Sequence, residues 1–159
     1  MVKKEISLED SNQFTEIPAL WVTTMEQPLK FFISNDKNKK NKSGLFTIKH
    51  ARLILWKEFS YEIAKNIYNL NPYVSQYVSV KVYYLAVDYE VHKPNEFYKN
   101  GINYFLAIIA KENGQWKIAE LPIAPVPLIV SKKVGFGTAH EKKTAEELGY
   151  SIFNTRIKY

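Results

Sequence analysis

Residues 78–121 constrain this chain more than any other stretch, because they alternate with the two-residue period of extended strands. Segment 78–93 is rich in β-branched and aromatic residues, which pack well on a pleated surface. Its odd positions Tyr83, Leu85, Val87, Tyr89 and Val91 form one unbroken apolar face. Its even positions begin with Val82, Tyr84 and Ala86 and turn polar with Asp88, Glu90 and His92, so the second face passes from covered to open. After a turn around Pro94-Asn95, segment 102–111 is apolar on both faces, as expected for a central strand with a layer on each side. Asn113-Gly114 supplies the two positive φ angles of a tight hairpin, and 116–121 is the return strand. Three consecutive strands on short turns predict an antiparallel meander and argue against a parallel nucleotide-binding sheet.

The flanks supply helices. From Ser7 to Ser34, Ile17, Trp21, Met25, Leu29 and Phe32 recur at helical spacing; Pro18 suits a first turn, and Pro28 predicts a kink near Glu26-Gln27. The run from Asn35 to Gly44 holds Lys37, Lys39, Lys40 and Lys42 among turn-forming residues and reads as a solvated loop. Within 45–59, residues 51–57 alternate as a strand. Ser60 then caps a short helix with Glu62 in its first turn, and Asn71-Pro72 breaks it before one more helical turn. Pro122, Pro125 and Pro127 force an extended exit from the sheet. A last helix begins at Thr138, four positions from Glu141 counting both in capping-box spacing, and is expected to stop at Gly149; 153–159 alternates like a strand.

A chain of 159 residues is long enough for its own core, and 46% hydrophobic, 24% charged residues is globular usage. With no cysteine, disulfides, thiolate metal sites and cysteine nucleophiles are excluded. Three histidines leave little for a metal centre, and no metal or cofactor is expected. The net charge of +6 favours anionic surroundings without choosing among nucleic acid, lipid and acidic polymer. No apolar run approaches the roughly 20 residues of a membrane span, and Met1–Glu5 lacks the apolar core of a signal peptide. Two compartments stay open: the cytoplasm, or export with a signal outside this sequence. The abrupt end after Tyr159 reads as the end of a fragment.

A helical N-terminus followed by a hairpin over 101–120, with its Asn113-Gly114 turn and Trp116-Lys117-Ile118 return, resembles the NTF2-like (cystatin-like) superfamily. Within it, the pattern is similar to small extracytoplasmic accessory domains of Gram-positive cell-envelope and sporulation proteins. The resemblance covers 45–126 and implies an α+β cone of N-terminal helices on a curved antiparallel sheet over 1–130. Residues 131–159 are then a C-terminal helix and extension that starts a linker or next module. It also implies an extracytoplasmic location. The superfamily contains isomerases and dehydratases with an acid or His pair inside the cone, and non-catalytic binding modules. No catalytic motif of the family aligns here, so none is carried over.

Asp88, Glu90 and His92 share a strand face with neighbours about 6.6 Å apart, close enough to share a proton or metal; the competing reading is that they face solvent. Tyr83, Tyr84, Tyr89, Tyr104 and Trp116 are candidates to line a pocket, against plain core packing. Lys37, Lys39, Lys40 and Lys42 are candidate anionic-surface contacts. Single-stranded nucleic acid is disfavoured, because the lysines concentrate in a loop and the tyrosines in strands. Gly135-Phe136-Gly137 lacks a third glycine for a dinucleotide fingerprint and reads as a turn. The expected role is a non-catalytic accessory or interaction domain that binds a protein partner or itself. The alternative is a small-molecule binder or enzyme with Asp88 as base and Tyr84 or Tyr104 as donor.

Overall fold

The alternating segments form β2 (Val80–Val91), β3 (Gly101–Glu112) and β4 (Gln115–Glu120), and β1 (Ile48–Phe59) pairs with β2. All pairings are antiparallel and the order is β1-β2-β3-β4, in a computed structural model that describes residues 1–156, with side chains through Gly149. The hairpin turn has the expected geometry, with φ of 50° at Asn113 and 76° at Gly114.

Both faces of the sheet are covered, so β3 reads apolar throughout. Leu85, Val87, Tyr89, Val91, Phe105, Ala107 and Ile109 pack under α1 (Val2–Asp10) and a 3-10 segment, Phe14–Leu20. Val82, Tyr84, Ala86, Tyr104, Leu106, Ile108 and Ala110 form a second cluster on the opposite face. Over it lie residues of α2 (Thr23–Ser34), α4 (Tyr61–Ala64), α5 (Asn71–Val74), α6 (Val126–Ser131) and α7 (Ala139–Arg156). The chain is thus an α+β protein. Val134, Phe136 and Ala145 carry the segment after α6 onto this second cluster.

Several flanking expectations are corrected. The helix over 7–34 is three pieces beginning at Val2, because the Val22 N–H bonds the Ile118 carbonyl at 2.9 Å and pulls Trp21 and Val22 into extended backbone beside β4. Pro18 lies inside the 3-10 segment, and Pro28 lies inside α2 without ending it. Thr24 and Pro28 are both exposed, so water can take the carbonyl that the proline leaves unpaired. The lysine run is not all loop: Asn35 accepts from the Lys37 and Asn38 amides at 2.9 and 3.4 Å and caps α3 (Asp36–Lys40). Gly149 does not stop the last helix; α7 runs through it to Arg156, so 153–156 is helical and not strand-like. Residues 157–159 lie outside the described residues. Ser60 does cap its helix, accepting from the Ile63 amide at 3.3 Å. Among the described residues no helix is long and apolar enough to cross a membrane.

Candidate functional site

The predicted polar face of β2 points to solvent. Asp88 lies 3.3 Å from Arg52, and Glu90 lies 3.4 Å from Lys49, both across the β1–β2 pairing. His92 stands past the end of the strand, with its pKa lowered by partial desolvation and then by Lys42 and Lys49. Exposed cross-strand pairs of this kind are surface electrostatics worth about 0–1 kcal/mol. The three side chains therefore do not make a shared site, and among the described residues no group of three His, Asp or Glu can hold a metal.

The aromatic candidates divide among three places. Tyr84 is fully buried against Phe136, with ring centroids 4.4 Å apart and planes at 10°. Its hydroxyl donates to Glu141 Oε2 at 2.8 Å, and the same carboxylate accepts from the Phe136 and Gly137 amides at 2.9 and 3.0 Å. The Glu141 amide donates to Thr138 Oγ1 at 3.1 Å, which is half of a capping box; the carboxylate completes the turn Gly135-Phe136-Gly137 instead of returning to Thr138. Burial, then the bond to Glu141, raises the Tyr84 pKa strongly. Tyr104 and His140 Nδ1 share a hydrogen bond of 2.9 Å beside a hollow of about 300 Å³ walled also by Ile102, Ile123 and Thr144.

Tyr89 belongs to the other face, where α1 buries two acids. Glu5 and Glu9 are 3% and 2% exposed, one turn apart on the helix. Glu5 accepts from Trp21 Nε1 at 3.3 Å and Glu9 accepts from the Tyr89 hydroxyl at 2.8 Å, with Tyr98 packed on Tyr89. Burial first, then the neighbouring Glu9, raises the Glu5 pKa well above normal. Burial raises that of Glu9 to about 7, against the lowering effect of the Tyr89 bond. The tyrosine pKa values rise with them, through burial and then the charge of Glu9.

Tyr83 and Trp116 line a surface groove of about 290 Å³ together with Val2, Lys3, Leu53, Trp56, Lys81, Leu85 and Ile109. A register shift between Leu53 and Leu55 brings Leu53 and Trp56 to the same face of β1, opposite Val87 and Leu85. Trp56 is 50% exposed and its ring lies 5.9 Å from that of Tyr83. Ammonium groups cover the indoles: Lys3 sits 4.7 Å from Trp56, and Lys81 and Lys111 sit 5.3 and 5.9 Å from Trp116. Tyr83 donates to Glu58 at 3.3 Å, and its pKa is raised by burial and then by that carboxylate. Lys37, Lys39, Lys40 and Lys42 are exposed elsewhere, on and after α3.

Sequence reasoning did not single out Glu5, Glu9, Leu53, Trp56, Lys3, Lys81 or Lys111. The one available signal was the i, i+4 spacing of Glu5 and Glu9 around Ile6 and Leu8, which puts acids on the apolar side of a helix. Comparison with family models, curated proteins and solved structures found no match.

Proposed function

We propose that this chain is a non-catalytic interaction domain that docks a protein partner in the groove walled by Trp56, Tyr83 and Trp116. The observation that carries this reading is a half-exposed tryptophan on a strand, beside a second indole and an apolar floor of Leu53, Leu85 and Ile109. Tryptophan and tyrosine in such a depression are the usual anchors of protein interfaces. The acids offer less to chemistry: Asp88 and Glu90 are paired at the surface, and Glu5, Glu9 and Glu141 are almost wholly enclosed. Placement of the domain as an NTF2-like accessory module of an envelope-associated bacterial protein, outside the cytoplasm, is supported by the hairpin resemblance alone. A second reading, small-molecule binding, is favoured by the Tyr104–His140 hydrogen bond at the hollow beside α7.

A displayed peptide library panned on the folded protein separates the two. The interaction reading expects enriched peptides whose affinity falls about tenfold or more on Trp56→Ala, as truncated interface anchors do. Ligands whose chemical-shift changes centre on Tyr104 and His140, with the Trp56 indole unmoved, would overturn it.

A further inference from the structure

The groove does not end at the sheet face. It abuts the outer edge of β1, the first strand in the order and unpaired on that side. At Lys49 and Ala51 that edge is occupied: Asp10 accepts from the Ala51 amide at 3.0 Å and Asn12 donates to the Lys49 carbonyl at 3.2 Å. Past this point, from 53 to 59, the backbone makes no hydrogen bond outside the β1–β2 pairing among the described residues. This open stretch carries Ile54, Leu55 and Trp56 at 36%, 38% and 50% exposure. Exposed, apolar, unpaired edges are templates for another strand.

Charge selects what can lie there. Lys3 and Lys81 line the groove and Lys111 lies 5.9 Å from the Trp116 ring at its far wall; Glu58 lies 3.8 Å from Lys81, while Lys3 and Lys111 have no ion-pair partner among the described residues. A second copy of this chain would set these lysines against their own kind, on a protein of net charge +6. Nucleic acid would need a run of open aromatic faces for successive bases, and here one face of each of the two indoles is taken by an ammonium group. The volume of about 290 Å³ lies at the small end of ligand pockets, a size suited to inserted side chains more than to a whole cofactor.

We propose that the groove and the open edge of β1 take an extended, acidic segment of a partner protein, which adds to β1 as a fifth strand and inserts an apolar side chain among the indoles. This rests on the interaction reading above and names its partner. Backbone pairing to β1 gives the register, the groove accepts one alternate side chain, and carboxylates two positions before and after it, on the same face, meet Lys3 and Lys81.

The test titrates isotope-labelled protein with two probe peptides, Thr-Glu-Thr-Leu-Thr-Glu-Thr and Thr-Lys-Thr-Leu-Thr-Lys-Thr, whose charges share the face of the leucine, at about 50 mM salt, where surface charges are weakly screened. Amides 53–59 and both indoles are expected to shift with the acidic probe, which binds about tenfold or more tighter than the basic one. The doubly reversed variant Lys3→Glu/Lys111→Glu, altered only at exposed side chains, is expected to invert that order. Equal or tighter binding of the basic probe at these residues would overturn the acidic partner and leave the interaction reading standing. No shift with either probe would remove both. Dimerisation in sedimentation runs that is lost in Trp56→Ser, or tighter binding of oligothymidylate at the same amides, would also overturn the proposal.

Discussion

Replacing Glu9 by glutamine should flatten the pH dependence of stability that the buried acid pair creates. A carboxyl that titrates at 4.5 when unfolded and at about 7 when folded leaves the native state holding more protons than the unfolded chain. Its contribution is therefore unaffected below pH 4.5, is lost progressively as pH rises from 4.5 toward 7, and stays lost above. At 1.36 kcal/mol per pH unit of difference, the loss amounts to about 3 kcal/mol. Among the described residues no cation offsets it: besides burial, Glu9 and Trp21 act on Glu5, and Tyr89 acts on Glu9. Glutamine keeps an acceptor for the Tyr89 hydroxyl, 2.8 Å away in the native protein, and cannot ionise. Urea unfolding of both proteins at intervals between pH 4 and 8.5, with the stability difference plotted against pH, isolates this site from carboxylates with the opposite dependence. The variant should match the native protein within about 1 kcal/mol at pH 4 and exceed it by about 2–3 kcal/mol at pH 8. A urea slope of about 2 kcal/mol per M makes that a midpoint gain of roughly 1–1.5 M. Parallel stability curves for the two proteins would refute the reasoning.

Two substitutions probe the opposite face of the sheet. A Cβ at Gly135 would meet both carboxylate oxygens of Glu141 at 2.5 Å, so Gly135→Ala should cost about 2 kcal/mol and lower the melting temperature by roughly 4–8 °C in calorimetry. Tyr84→Phe removes one of the three donors to a carboxylate that is 1% exposed, and should cost about 1–3 kcal/mol in denaturant unfolding; a loss below 0.5 kcal/mol would mean that the two amides suffice.

How much was legible in advance follows from which level of structure each residue answers to. In β2 and β3 the alternation is imposed by two buried faces, so the period shows directly in the residues from Val80 to Glu112. The first helix could not be read this way. Its inner face includes Glu5 and Glu9, and an acid counts as apolar only when its surroundings raise its pKa, which is a tertiary property. The break between the 3-10 segment and α2 depends on a bond from Val22 to Ile118 across the molecule, far beyond any local signal. The groove was hidden for a related reason: the slip between Leu53 and Leu55 changes the face of every later side chain in β1, and one residue of slip inverts a period-two pattern. Tyr83 and Trp116 were recognised as candidates, but without Trp56 they did not make a surface.

Because successive residues of β3 enter different cores, Phe105, Ala107 and Ile109 on one side and Leu106, Ile108 and Ala110 on the other, neither layer can melt while its counterpart stays whole. Damage beneath the first helix is then felt at the turn that encloses Glu141, and denaturant should abolish both in a single step.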